Sequence, residues 1–204
     1  MSKKAVDVVL LPSTEIVYKV IKLNAQLVEK FGARIVLNEE NCLPHISLAM
    51  GCIEEGDTSE ITNILTDIAK TNPIGELRIT GVLISQNARG ENVSSFEIER
   101  TLKLQKLHEE ITKAMEPYFS YDAAENMIYP SGKVAESSLE WIRNYKAKSS
   151  FEKFWPHITL GYGIIEDVKF TAWMVASKLT MCWLGNHCTC RKILAAVDIE
   201  RMKG

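Results

Sequence analysis

Pro44-His45-Ile46-Ser47-Leu48-Ala49-Met50-Gly51 returns later in the chain as Pro156-His157-Ile158-Thr159-Leu160-Gly161-Tyr162-Gly163, and the reading of this pair decides the fold. Five of the eight positions are identical, and Ser47/Thr159 and Ala49/Gly161 are conservative exchanges. The copies lie 112 residues apart. That distance is too long for a stacked solenoid repeat and about half a chain, which points to two halves of one pseudo-symmetric molecule.

The spacing inside each copy has a physical meaning. On a strand, residues i and i+2 share a face, so His45 with Ser47, and His157 with Thr159, point one way while Ile46 with Leu48, and Ile158 with Leu160, point into a core. Each strand therefore presents one imidazole and one hydroxyl. Imidazole titrates near neutrality, so two of them facing one cleft can serve as general base and general acid. The hydroxyls can donate to phosphoryl oxygens held between them. The competing reading is structural: two strands whose histidines merely satisfy buried backbone groups. A third His-x-Thr, His187-Cys188-Thr189, lacks the flanking Pro, Leu and Gly and is set aside as coincidence.

Working outward, Val6 to Leu11 reads as a buried strand. Ser13 then caps a helix that carries Ile16, Val20, Leu27 and Phe31 and ends at Gly32. A short strand is expected at Arg34 to Leu37, and a helix through Ile61, Ile64, Leu65 and Ile68 follows the first octapeptide. Strands at Leu77 to Ser85 and Val93 to Ile98 flank a polar turn, and a helix runs from about Thr101 to Phe119. In that helix His108, beside Glu109 and Glu110, reads as a solvated or half-buried residue. A further helix is expected near Ala135 to Lys148, and another, containing Val168, Trp173, Met174 and Ala176, after the second octapeptide. Strands at Leu179 to Leu184 and Arg191 to Glu200 close the chain. No linker of Gly, Ser or Pro divides residues 1–204, which read as a single domain.

Composition bounds the partners. In 204 residues, 46% are hydrophobic and 25% charged, enough for a substantial core. Twenty-four basic residues against 26 acidic give no global positive field for long nucleic acid, so any such substrate is short or held by a local patch. No segment approaches the roughly 20 apolar residues that cross a bilayer. Five cysteines, an odd number, read as free thiols in a reducing, cytoplasmic setting. Cys182, His187, Cys188 and Cys190 do not have the spacing of a familiar zinc site, and a reduced Cys-bearing turn is preferred. No carboxylate cluster accompanies the repeat, so neither a metal nor another cofactor is expected. Arg89 and Lys133 read as solvated loop cations.

Two His-x-[Ser/Thr]-x motifs half a chain apart resemble the 2H phosphoesterase superfamily, which includes 2'-5' RNA ligase-like proteins and phosphodiesterases acting on 2',3'-cyclic phosphates. The resemblance implies an α+β bilobal fold: two antiparallel sheets related by a pseudo-twofold, helices on their outer faces, and a central cleft with one motif (45–48 and 157–160) from each lobe. It implies His45 and His157 as the catalytic pair and Ser47 and Thr159 as phosphate-binding hydroxyls. Trp155 and Tyr162 are candidates for stacking on a base, with core packing as the equal alternative. The implied activity is a metal-independent phosphodiesterase of a monomeric protein, acting on a nucleotide or RNA end that carries a 2',3'-cyclic phosphate or a 2'-5' linkage. The alternatives are a nucleotide-binding or RNA-end-binding module without turnover, and 2'-5' RNA ligase activity.

Overall fold

A computed structural model describes residues 2–87, 89–130, 132–166 and 168–199. Strand β1 (Lys3–Pro12) is central to the first sheet because its run of β-branched residues is buried on both faces. Val6, Val8 and Leu10 enter the main core, while Ala5 and Val9 join smaller apolar clusters on the other face. Asp7 lies between those two and is fully buried.

Helix α1 (Thr14–Phe31) leads toward β2 (Ile46–Glu54), the strand of the first octapeptide, and α2 (Thr58–Thr71) follows it. Strands β3 (Leu77–Gln86) and β4 (Asn92–Ile98) form a hairpin, then come α3 (Leu102–Met115) and α4 (Glu136–Ser149). Strand β5 (His157–Tyr162) carries the second octapeptide, and β6 (Ala172–Met174), β7 (Ala176–Leu184) and β8 (Cys190–Asp198) complete the chain. The strands form two four-stranded antiparallel sheets of order β2-β1-β7-β8 and β5-β4-β3-β6. Both motif strands are thus edge strands, and the two edges approach each other between the sheets. Helix α1, which leaves the first sheet from β1, packs on β5 of the second; α3 and α4, which follow β4 of the second, pack on β2 of the first. This exchange of helices ties the halves together.

Four expectations need correction. No α-helix follows the second octapeptide among the described residues: Trp173 is 63% exposed and Met174 3%, the alternation of a strand, because β6 pairs with β3. Residues 34–37 form no strand, although Ile35 and Leu37 are buried. Cys182 and Cys190, which face one another from β7 and β8, are joined as a disulfide, so only Cys42, Cys52 and Cys188 are free thiols. His108 is fully buried rather than solvated. Glu200, the expected end of the last strand, lies outside the described residues. Among those residues no helix is long and apolar enough to cross a membrane.

Candidate active site

The proline of each octapeptide explains how its histidine is aimed. Proline has no N–H and a fixed φ, so the chain enters the strand through a bend in which the carbonyl two residues before the histidine meets the ring. His45 Nδ1 lies 2.8 Å from the carbonyl oxygen of Leu43, and His157 Nδ1 lies 2.9 Å from that of Trp155. A ring nitrogen on a carbonyl must carry the proton, so in the neutral rings Nε2 bears the lone pair. The bends are themselves held: the Leu43 N–H donates to the Cys190 carbonyl (3.0 Å), and the Ile98 N–H donates to the Pro156 carbonyl (3.0 Å).

Burial pushes the pKa of both imidazoles below the ordinary value, and for His45 the nearness of His157 adds to the lowering. The structure thus brings the two rings close enough for one charge to oppose the other, as acid/base partners on a single small substrate require.

The two hydroxyls differ. Ser47 Oγ is hydrogen-bonded to Asp7 Oδ2 at 2.6 Å, and that oxygen also lies 3.8 Å from His45 Nε2. Thr159, half-buried on the same face of β5 as His157, has no hydrogen-bond partner for its hydroxyl among the described residues. On β4, opposite His157, Glu97 accepts from Trp155 Nε1 (3.4 Å) and from Thr80 Oγ1 (3.1 Å).

Of the two aromatic candidates, Trp155 stacks directly on His157, with centroids 4.4 Å apart and planes inclined by 20°. It also borders an open groove of about 530 Å³ lined with Thr80, Glu97, Arg100 and Lys153. Tyr162 belongs to a different cluster: the Arg34 guanidinium covers its ring at 4.5 Å, and its hydroxyl lies 3.1 Å from His187 Nδ1. His187 therefore joins the two halves, from the β7–β8 turn to β5. Burial, then the Arg34 charge, lower its pKa. The cysteines do not gather for zinc, since Cys182 and Cys190 are bonded to each other. Among the described residues no three His, Cys, Asp or Glu side chains are placed to hold a metal ion.

Two acidic residues of the site escaped the sequence reading, Asp7 and Glu97. For Asp7 a signal existed: it is the only charged residue between Lys4 and Glu15, inside an otherwise apolar strand. A carboxylate in such a place is rarely buried without a purpose or a partner.

No protein-family model and no curated protein sequence matches the chain. Solved structures do. TT0787 of Thermus thermophilus superposes with a TM-score of 0.58 at 12% identity, over 98% of this chain and 100% of that one. Apo LigT of E. coli superposes with a TM-score of 0.51 at 13% identity, again over 98% and 100%. LigT has also been solved with NADP+, at a TM-score of 0.51 and 12% identity over the same shares of the two chains. The α+β architecture of two antiparallel sheets is the fold that the chain shares with these solved structures.

Proposed function

We propose that the protein is a metal-independent phosphodiesterase that opens a 2',3'-cyclic phosphate, or cleaves a 2'-5' linkage, on a nucleotide or RNA end. The observation that carries this reading is the matched anchoring of His45 and His157, each Nδ1–H fixed on the carbonyl two residues upstream. Both Nε2 atoms are left to exchange protons. One Nε2 takes a proton from the attacking water as the P–O bond forms; the other, protonated, gives its proton to the ribose oxygen as the old P–O bond breaks. The rings end with their protonation states exchanged. Thr159 and Ser47 donate to the non-bridging oxygens, where negative charge grows in the transition state. The NADP+ of the LigT complex carries phosphoryl groups of the kind these hydroxyls would receive here. The groove that Trp155 borders offers room for a base.

The test is incubation with each of the four nucleoside 2',3'-cyclic phosphates in the presence of a chelator, the product being resolved as 2'- or 3'-phosphate. Turnover is expected with chelator present. His45→Ala and His157→Ala should each lose on the order of 100- to 10,000-fold in kcat/KM, and the two losses together should fall short of their product because the pair acts as a unit. Binding of cyclic nucleotides without turnover would identify a binding module instead. Activity abolished by chelator and restored by one divalent ion would overturn the mechanism.

A further inference from the structure

Asp7 is a carboxylic group in an unusual position. Its side chain has 0% exposure, and one oxygen, Oδ1, is buried with no hydrogen-bond partner. Among the described residues no lysine or arginine lies within ion-pair distance of it; the one basic neighbour is His45, at 3.8 Å. That neighbour already donates Nδ1–H to Leu43, so when neutral it turns a lone pair, not a proton, toward Asp7. An ionised Asp7 would leave charge on an oxygen with no donor at all, in a setting where an unpaired buried charge is far costlier than an unpaired neutral carbonyl. The other titratable groups facing it are Cys188 from the β7–β8 turn and Tyr145 from α4, and burial holds both in their neutral forms. Cys182, opposite Asp7 on β7, is in the disulfide and does not titrate.

The bond to Ser47 makes this protonation state matter. A serine hydroxyl has one proton. If Asp7 is a carboxylate, Ser47 must donate that proton to it and can offer a phosphate only lone pairs. If Asp7 is the neutral acid, Asp7 Oδ2–H donates to Ser47 Oγ, and the serine proton is free to turn into the cleft.

We infer that Asp7 is a positioning residue that is protonated at neutral pH and, by donating to Ser47, directs the Ser47 hydroxyl proton toward a bound phosphoryl oxygen. This rests on the phosphate-binding role proposed above for Ser47. Burial, which drives the carboxyl well above its usual range, acts in the same direction. Ionisation at alkaline pH would then do two things at once: capture the Ser47 proton and put a negative charge beside the phosphate.

Two measurements test this. Infrared difference spectra of wild type against Asp7→Asn at neutral pH should show a carbonyl stretch of a protonated carboxylic acid that the substitution removes. Absence of that band, with a carboxylate signal in its place, would overturn the proposal whatever the activity. The second is calorimetric binding of inorganic phosphate. Asp7→Asn, whose amide donates to Ser47 as the neutral acid does, should bind within about threefold of wild type at neutral pH. Asp7→Ala, which removes the donor that orients the hydroxyl but leaves its proton free, should bind more weakly than Asp7→Asn by about 3- to 10-fold, the scale of one neutral hydrogen bond. At alkaline pH wild type should weaken while Asp7→Asn does not; parallel curves for the two would sink the idea. A wild-type protein that binds no phosphate and opens no cyclic phosphate would remove the functional reading, and the infrared band would still decide whether Asp7 holds the proton.

Discussion

Asn24 and His108 do the same job in the two halves of the molecule: each donates to the carbonyl oxygen of the leucine in one octapeptide. Asn24 Nδ2 donates to Leu160 at 2.8 Å, and His108 Nδ1 donates to Leu48 at 2.6 Å. Leu48 and Leu160 hold the same position in the repeat, on edge strands whose outer backbone groups lack a strand partner. Asn24 lies on α1, which follows β1, and His108 on α3, which follows β4. Each helix thus fixes the motif strand of the half it packs against. Both side chains are fully used: Asn24 also donates to Ile35 and accepts from Leu37, and His108 Nε2 accepts the Phe151 N–H at 2.7 Å. His108 therefore touches the first motif and the turn that leads into the second.

This double bond requires a neutral His108, and burial accordingly lowers its pKa from the ordinary value of about 6.5. As pH falls, the unfolded chain takes up the proton first, so the stability His108 contributes is complete above about pH 6.5 and is lost as pH falls through the folded-state value. His108→Gln, able to donate and accept but not to titrate, should flatten part of the loss of stability seen in urea melts below about pH 6.5. His108→Ala leaves two buried backbone groups without partners and should cost on the order of 2 to 5 kcal/mol. A pH dependence unchanged in His108→Gln would show that this ring is not one of the acid-sensitive groups.

The glycines that end the octapeptides are explained by the same helices. A Cβ on Gly51 would lie 2.6 Å from Phe119 Cγ, just past α3, and one on Gly163 would lie 2.1 Å from Phe31 Cδ2, the last residue of α1. Gly163 also has φ +106°, where an L side chain is strained. Gly51→Ala should cost about 1–3 kcal/mol by overpacking, and Gly163→Ala more because strain is added. Chemical denaturation of the set should also show that Phe119→Leu recovers part of the Gly51→Ala loss, the non-additivity expected of residues in contact.

The repeat was legible because every one of its shared positions answers to a local rule: bend, cleft face, core face or close approach. What was missed depends on which strand lies beside which. Asp7 reads as a charge in an apolar run until β2 is laid against β1 and brings Ser47 to it. The residues from Val168 to Ala176 have a spacing that suits a helix, yet the pairing of Leu77, Arg78 and Ile79 with Met174, Trp173 and Ala172 overrides it. His108 could have been placed, since Leu104, Leu107, His108, Ile111, Thr112 and Met115 form one continuous buried face at helical spacing. Its acidic neighbours Glu109 and Glu110 drew the reading toward solvent. An odd cysteine count says nothing about two cysteines that a hairpin brings together.

The disulfide lies under the first motif, since the Cys190 carbonyl holds Leu43 and Leu43 holds His45. Alkylation in denaturant without reductant should label Cys42, Cys52 and Cys188 and leave a linked Cys182–Cys190 peptide in the digest; reduction should expose two more thiols. Closing an eight-residue separation should stabilise the fold by roughly 2–3 kcal/mol in the chain-entropy account, read as a lower urea midpoint after reduction. Labelling of all five thiols without reductant would remove the link.

Trp155 gives His157 a surrounding that His45 lacks. An aromatic face stacked on an imidazole favours the imidazolium, so the ring opposes the lowering that burial imposes on His157. Trp155→Leu keeps apolar cover but removes the π face. Such a contact is worth about 0.5–2 kcal/mol to the protonated ring, so its removal should lower the His157 pKa. NMR titration of the His157 ring proton should show that fall, while His187, in the β7–β8 turn against Tyr162, keeps its titration and serves as the control. In the pH profile of kcat/KM, the limb that belongs to His157 should move toward acid and the other should stay in place, narrowing or widening the bell according to whether His157 acts as acid or base. A His157 pKa that does not move in Trp155→Leu would reduce the stacked pair to simple packing.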